Sequence, residues 1–338
     1  SDTALMVCED GEISTISFTD MLDEVRQLSA GVVGAGVPAG DRVAVFSHAR
    51  VEWALLDYAI WHAGAVSVTI YETSSADQVE WILHDSGASV AIVESQELAD
   101  RVESVRAAAP ALSRVFTIDG DGLDELRSQG ASVDPAELDA RVAAIELDAP
   151  ATLVYTSGTT GRPKGCVLTH RNLIWTIRQV IITEPELVLP GNRTLTFLPL
   201  AHILARVVQL TAITAGVPVA FGGGIRTLLD DLAAVKPTWL TVVPRVLEKV
   251  HDGAAQKAGT GVKRKVFDHA AKVAREVGAH KAAGTTPPLH LRLAHRAADA
   301  VVYGTLRKAM GGDLRYVISG GAPLHADLAR FFSGVGVE

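Results

Sequence analysis

The sequence predicts an α/β fold in which helices flank layered, mostly parallel β-sheets. The first observation is an alternation of amphipathic helical segments with short apolar runs: RVAVFS, VSVTI, SVAIVES and RVFTID. The second is that these runs are continuously apolar, as in strands that are buried on both faces. We find neither the in-and-out alternation nor the two-residue hairpins that would indicate an antiparallel sheet.

Each helical segment is predicted from its apolar spacing. In the first, apolar residues at positions 18, 21, 22, 25, 28 and 32 share one face of a helix. The stretches EWALLDYAIWHAGA and DQVEWILHDSG predict two more helices, each ended by glycine. Residues 119–148 are polar and weakly patterned, so we interpret them as a surface connection.

The alternation resumes at residue 149 with a predicted strand, TLVYTS, then a glycine-rich loop and a helix in LTHRNLIWTIRQVII. Three more strands are predicted in TLTFLPL, VPVAFGG and WLTVVP, and a last one in LRYVIS. Between these last two, a helical stripe runs from Val266 to Val277 and another helix from about 291 to 310. We therefore expect a first α/β subdomain over 1–148 and a second over 149–338, with a helical insertion at about 245–312.

Composition restricts the classes of function. The 338 residues are 48% hydrophobic and 21% charged, which allows a substantial core, and the net charge of −8 argues against nucleic-acid binding. The two cysteines, Cys8 and Cys166, lie far apart and suggest neither disulfides nor a metal site, which fits a reducing cytoplasm. No uninterrupted apolar stretch is long enough to predict a membrane span.

The glycine-rich loop YTSGTTGRPKG, residues 155–165, has the composition of a phosphate-binding loop. Glycines let backbone amides approach phosphate oxygens, a following helix N-terminus would add positive potential, and Lys164 adds a full charge. The spacing does not match the P-loop G-x-x-x-x-G-K-[ST], because Pro163 occupies the second glycine position and Gly165 follows the lysine. A P-loop nucleoside triphosphatase or a kinase-type site is therefore excluded.

The spacing TSGTTGRPKG, residues 156–165, instead resembles the AMP-binding signature of the adenylate-forming enzymes. FLPLAH at 197–202 and ISGGAPL at 318–324 resemble two later motifs of this superfamily, and the resemblance covers the whole chain. VPRVLEKV at 243–250, with about 60 residues of helix after it, resembles the long-chain fatty acyl-CoA synthetase branch. A long acyl chain needs an extended apolar tunnel, and extra helices are one way to wall it.

The resemblance implies a function and a set of site residues. It implies that ATP and Mg²⁺ activate a fatty acid to acyl-AMP, which CoA then converts to a thioester. Lys164 and His202 would be catalytic, with His202 beside the acyl carboxylate, and Thr156 would also reach Mg²⁺. Trp239 and Arg245 are weaker candidates for the acyl entrance, since Trp239 also suits a core strand, and Arg206 suits a surface or salt-bridge position. The residues implied in ATP or AMP binding are Thr156, Ser157, Gly158, Thr159, Thr160, Gly161, Lys164, Gly320, Gly321, Ala322 and Pro323.

Later motifs of the superfamily do not occur in these 338 residues, among them Y-G-x-T-E and the small C-terminal domain. The resemblance therefore implies the N-terminal portion of a synthetase, with little activity of its own. Two alternatives stay open: a fatty acyl-AMP ligase that passes the acyl group to a carrier protein, and a non-catalytic nucleotide- or lipid-binding module. The expected partners are small molecules; peripheral contact with a membrane and the oligomeric state are open.

Overall fold

The computed structural model describes residues 2–156 and 162–338. Five residues predicted to bind phosphate, Ser157, Gly158, Thr159, Thr160 and Gly161, lie outside this description. The structure does describe the residues on either side of them, and these fix where the predicted loop leaves and rejoins the fold.

The described residues form strands and helices in close alternation. The strands are β1 (Thr3–Glu9), β2 (Glu12–Ser17), β3 (Arg42–Phe46), β4 (Val66–Ile70), β5 (Val90–Val93), β6 (Arg114–Thr117), β7 (Pro150–Thr156), β8 (Lys164–Thr169), β9 (Thr194–Thr196), β10 (Val219–Phe221), β11 (Trp239–Val242) and β12 (Tyr316–Ser319). The helices are α1 (Phe18–Gly34), α2 (Val51–His62), α3 (Ala76–Ser86), α4 (Gln96–Ser104), α5 (Gly122–Gln129), α6 (Pro135–Ala143), α7 (His170–Thr183), α8 (Ile203–Thr214), α9 (Leu228–Val235), α10 (Pro244–Lys257), α11 (Val262–Ala282), α12 (Leu289–Ala298), α13 (Gly304–Ala309) and α14 (Ala326–Val335).

Within the described ranges, the strands form two six-stranded sheets. Sheet 1 has the order β12-β11-β9-β10-β1-β2, and sheet 2 has the order β6-β5-β3-β4-β7-β8. Neighbouring strands are parallel except in the pairs β1–β2 and β7–β8, each of which closes one edge of its sheet. The prediction of layered, mostly parallel sheets with flanking helices is confirmed.

The first antiparallel pair corrects the expectation that the chain has no two-residue hairpin. β1 and β2 are joined by Asp10 and Gly11, whose φ angles are +50° and +83°. Positive φ at both central residues is typical of the type I′ turn, for which Asp-Gly is a favoured sequence. The signal was therefore present in the sequence and was missed.

The second antiparallel pair corrects the expectation that the glycine-rich loop runs directly into a helix. Residues Lys164–Thr169 form β8, which pairs with β7, and α7 begins only at His170. Thr169 caps this helix, since its hydroxyl accepts the Asn172 amide proton and the Asn172 side chain accepts the Thr169 amide proton. The loop thus joins two strands, and the helix N-terminus follows one strand later.

The stretch 119–148 is also more regular than a surface connection. It contains α5 and α6, and α5 packs against α1 with almost no space between the backbones. A Cβ at Gly31 would lie 2.3 Å from the Leu126 carbonyl oxygen, so glycine is required there. Leu126 is fully buried in this contact, which explains how a largely polar segment holds a helix.

The predicted division between residues 148 and 149 does not follow the boundary between the sheets. β7 and β8 complete sheet 2, whereas β1 and β2 from the N-terminus belong to sheet 1. The helices α10 to α13 fall within the predicted insertion of about 245–312, and a π-helical turn at Asp299–Tyr303 joins the last two. Among residues 2–156 and 162–338, no helix combines the length and apolarity needed to cross a bilayer.

Candidate active site

The carboxyl ends of several strands from both sheets line a cleft of about 460 Å³. Its wall contains the last three residues of β1 and residues that follow β10 in sheet 1, together with residues that follow β3, β4 and β5 in sheet 2. Phe197 and Pro199, from the FLPLAH segment after β9, lie in the same wall. Ligands of open parallel sheets bind beyond the carboxyl ends of the strands, so this edge is the expected place for a site.

His202 ends the FLPLAH segment and caps α8. Its Nδ1 accepts a hydrogen bond from the Leu204 amide at 3.2 Å, and its side chain is exposed. The preceding carbonyl, of Ala201, accepts a bond from the Thr69 hydroxyl at 3.4 Å. Because Thr69 pairs with Val154 on β7, this contact holds the His202 turn against the strand that leads into the glycine-rich loop.

The glycines after β12 lie against the same helix. The Gly320 amide donates to the Val242 carbonyl at 3.2 Å, and a Cβ on Gly320 would lie 2.4 Å from Leu204 Cδ2. Gly321 has a φ of +80°, a conformation that favours glycine. Ala322 and Pro323 follow in an exposed turn. Gly320 of the predicted adenine wall thus contacts Leu204 in the first turn of α8, two residues after His202.

Thr156 and Lys164 face each other across the base of the loop. They form the last register pair of β7 and β8, and both are exposed. A hydroxyl and an ammonium group therefore flank the point where residues 157–161 leave the sheet. For Mg²⁺, the Thr156 hydroxyl is a suitable oxygen ligand, but the described residues add no cluster of three acidic, cysteine or histidine side chains.

Arg206 forms a salt bridge, one of the two positions expected for it, and the pair is buried rather than at the surface. Its guanidinium is fully buried, pairs with both carboxylate oxygens of Asp57, and donates to the Thr152 and Ser67 hydroxyls at 2.6 Å each. Thr152 lies on β7, so α8 is fastened to the strand that carries the loop. A lone aspartate within the apolar α2 was the sequence signal for this pair, although its partner lies 149 residues away.

Trp239 and Arg245, the two weaker candidates for the acyl entrance, lie in different parts of the structure. Trp239 begins β11, at the end of the sheet opposite the cleft, and is only 2% exposed. This position supports the core interpretation and argues against a place at an acyl entrance. Arg245, in the first turn of α10, instead lines the mouth of an apolar cavity, where it pairs with Glu248 at 2.7 Å.

This cavity has a volume of about 700 Å³ and lies among the helices of the predicted insertion and α9. Its wall is mostly apolar and includes Val246, Val250, Phe267, Val302, Leu306 and Met310, with the side chains of Arg245 and three lysines also in the lining. One wall residue, Val243, follows β11 directly and lies 3.6 Å from where a Cβ on Gly321 would be. The cavity therefore begins beside the predicted adenine wall.

A family model described as AMP-binding enzyme matches residues 1–338. This chain belongs to the AMP-binding enzyme family. It is 46% identical over 331 residues to the long-chain-fatty-acid–CoA ligase FadD15 of Mycobacterium bovis. The alignment covers 97% of this chain and 55% of that ligase, so the chain spans about half the length of the curated relatives it matches. The match confirms the prediction, made from the three motifs, that the chain belongs to the family of AMP-binding enzymes.

Solved structures show the same fold. The chain matches a long-chain-fatty-acid–CoA ligase from Archaeoglobus fulgidus with a TM-score of 0.72 at 20% identity, over 99% of this chain and 57% of that one. It matches the A domain of a carboxylic acid reductase from Segniliparus rugosus, in complex with AMP and a carboxylic acid, with a TM-score of 0.72 at 19% identity. That match covers 99% of this chain and 56% of that one. At these identities the similarity establishes the fold alone.

Proposed function

We propose that the protein to which this chain belongs activates a long-chain fatty acid with ATP and transfers the acyl group to CoA. The carboxylate oxygen attacks the α-phosphorus of ATP to form acyl-AMP, and pyrophosphate leaves. The CoA thiol then attacks the acyl carbonyl, loses its proton, and displaces AMP. Membership of the AMP-binding enzyme family supports the first step. The 46%-identical relative named as a long-chain-fatty-acid–CoA ligase supports the substrate and the acceptor.

The observation that carries the choice of substrate is the apolar cavity that starts at Val243. Its volume of about 700 Å³ is within the roughly 300–1,000 Å³ typical of small-molecule sites. Apolar surface in this wall gives a hydrocarbon chain a favourable transfer free energy of about 0.8 kcal/mol for each buried CH₂ group. The cavity also begins beside Gly321, so an acyl chain within it would present its carboxylate near the predicted adenine wall.

The chain's own residues would act mainly by charge and position. Lys164 would place a positive charge at the base of the loop, where it would offset repulsion between the carboxylate and the triphosphate. His202, exposed at the start of α8, would lie near the reacting carboxylate. Gly320 and Gly321 would let backbone atoms approach the adenine closely. Mg²⁺, when bound to the triphosphate beside Thr156, would neutralise phosphate charge.

The rim of the cavity supports peripheral contact with an anionic membrane. Ile225, Val262 and Val301 are 57%, 77% and 65% exposed there, and Lys257 and Lys263 lie among them. Apolar side chains that can enter a bilayer, ringed by cations, suit an anionic lipid surface. The expected result is co-sedimentation of the protein with anionic vesicles, weakened by Lys257→Glu and Lys263→Glu together. Equal binding by the double variant would contradict this part of the proposal.

A cytoplasmic location is part of the same proposal. It is supported by the free thiols of Cys8 and Cys166, the first buried and the second exposed.

The proposed reaction is tested by pyrophosphate release from the full-length protein with ATP and palmitate. Release without CoA, followed by palmitoyl-CoA formation when CoA is added, is the expected result. Release with no thioester formation would favour transfer to a carrier protein. Absence of pyrophosphate under both conditions would favour a binding module and refute the proposal.

The acyl site is tested separately by filling the cavity. Val250→Trp should reduce palmitate-dependent pyrophosphate release more strongly than octanoate-dependent release, because the indole would occupy the space needed by the longer chain. Val142→Trp, on α6 outside the cavity lining and 40% exposed, is the control and should leave the ratio of the two rates unchanged. An equal loss for both fatty acids in Val250→Trp would place the acyl chain elsewhere.

A further inference from the structure

Both ends of the glycine-rich loop are fastened to one helix, α3. At the entry, the Tyr155 hydroxyl donates to the Asp85 carboxylate at 2.7 Å. At the exit, the Trp81 indole N–H donates to the Pro163 carbonyl at 2.7 Å. Trp81 and Asp85 are four residues apart and therefore lie on the same face of the helix. A single rigid element thus contacts the chain just before and just after residues 157–161.

α3 is itself held at both ends. Ser75 and Gln78 form a capping box at its N-terminus, and Gly87 ends it with a φ of +61°. The Arg42 guanidinium, from β3, donates to the Ser86 and Gly87 carbonyls at 2.8 and 3.1 Å. The Arg42 bonds tie the C-terminal end of α3 to the centre of sheet 2, and Val79, Ile82 and Leu83 are buried in the core beside its strands.

The chemistry of each contact indicates a specific role. Aspartate in the last turn of a helix is unfavourable beside the negative end of the helix dipole, so Asp85 requires a compensating donor. Tyr155 supplies that donor: burial and the bond to Asp85 raise the pKa of its phenol above the ordinary value, which keeps the proton in place. The Tyr155 ring also covers Gly165 on β8, where a Cβ would lie 3.1 Å from it.

The exit contact carries a charge as well as a hydrogen bond. The Arg162 guanidinium lies over the Trp81 ring, 4.7 Å from its centroid, at an exposed position. One indole therefore orients two consecutive residues, Arg162 through its face and Pro163 through its N–H. Lys164, the first residue of β8, follows directly, so its direction depends on this contact.

We propose that Trp81 and Asp85 are positioning residues: they hold the chain at Tyr155–Thr156 and at Pro163–Lys164 in place and thereby set the affinity for ATP. The inference rests on the proposed function, because it requires that the loop bind the triphosphate. Contacts that hold Thr156 and Lys164 in one position before a ligand arrives lower the cost of ordering these two residues on binding, and preorganisation of this kind raises affinity.

The test measures the dissociation constant of Mg·ATP for the full-length protein by titration calorimetry. Trp81→Phe keeps the ring beneath Arg162 and removes only the N–H donor. Asp85→Ala removes the acceptor at the entry. Each should weaken ATP binding by about five-fold, the effect of losing one ordinary hydrogen bond. The KM for ATP in pyrophosphate release should rise by the same factor.

Three further variants separate positioning from general stability. Asp85→Asn keeps an acceptor oxygen and should restore near-wild-type affinity. Tyr155→Phe should weaken binding as Asp85→Ala does, and the double variant should be no weaker than either, since both remove one bond. Trp175→Phe, on α7 with 63% of the side chain exposed, is the control and should bind ATP as the wild type does.

The outcomes distinguish this inference from the proposed function. Unchanged ATP affinity in Trp81→Phe and Asp85→Ala, or a purely additive double variant, would overturn the inference even if their melting temperatures fell. Wild-type protein that binds ATP but gives no fatty-acid-dependent pyrophosphate would refute the proposed function and leave the inference to be judged on affinity. Wild-type protein that binds no ATP would overturn both.

Discussion

The two sheets end in hairpins that share a geometry and differ in what they carry. In both sheets, an antiparallel pair closes one edge of an otherwise parallel array. β1 and β2 are joined by Asp10 and Gly11 alone, whereas seven residues, 157–163, connect β7 with β8. The short turn can only reverse the chain. The long connection combines the superfamily signature with anchors on α3 and a buried ion pair behind β7.

The two hairpins differ in what holds them in place. The β1–β2 hairpin needs only local turn chemistry and a buried face on β1. The β7–β8 hairpin is fixed from outside, by Asp85, Trp81 and Arg206. These three side chains come from helices far away in sequence. The connection proposed to bind phosphate therefore depends on its surroundings, while the reversing turn depends on its own two residues.

The largest expected effect comes from removing the support behind the loop-bearing hairpin. Asp57→Asn would leave the fully buried Arg206 guanidinium without a counter-charge, and breaking a buried pair in this way costs about 3–5 kcal/mol. The matched control is Asp139→Asn, which breaks the exposed Arg26–Asp139 pair and should cost about 1 kcal/mol or less. Urea denaturation measures both. Equal losses would mean that the buried pair is not a support.

The next effect concerns the charge at the base of the loop. Lys164→Ala should slow acyl-AMP formation by about ten- to a hundred-fold, because a charge-assisted phosphate contact contributes roughly 1.5–3 kcal/mol. Glu12→Ala changes the corresponding residue of the other hairpin, the first residue of β2, and should leave the rate unchanged. Single-turnover kinetics with the full-length protein compares the two. A wild-type rate in Lys164→Ala would remove this lysine from the mechanism.

The smallest effect concerns the reversing turn. Gly11→Ala should lower the free energy of unfolding by about 1–2 kcal/mol, because alanine is disfavoured at a φ of +83°. Gly253→Ala, within α10 where a Cβ would meet no atom, should instead raise stability by up to about 1 kcal/mol. ATP affinity should not change in Gly11→Ala. A change would show that the two hairpins are coupled.

The same contrast explains what could be predicted from the sequence. Buried parallel strands such as VSVTI and VAIV have clear apolar patterns, and local signatures such as TSGTTGRPKG and FLPLAH mark the residues of the site. β8 was missed because it is an edge strand with its first four residues exposed, so KGCVLT has no buried-strand pattern. The β1–β2 turn could have been predicted, because Asp-Gly is a favoured sequence for a two-residue hairpin.

The supports of the site could not be predicted in the same way. Asp57 and Arg206 are 149 residues apart, and Trp81 and Pro163 are 82 apart, so no local spacing links either pair. α5 was missed because its few apolar residues bury against glycines of α1 and against β6 rather than form a long stripe. Each case depends on tertiary packing, which the local pattern does not contain.

We propose that the edge formed by Thr156, Lys164, His202 and the glycines after β12 takes part in the adenylation of a long-chain carboxylate by the full-length protein. Mass spectrometry of the full-length protein mixed with Mg·ATP and palmitate, with CoA omitted, tests this claim most directly. The account predicts palmitoyl-AMP together with released pyrophosphate. Formation of ADP and phosphate, or ATP recovered intact with no adenylate, would contradict it.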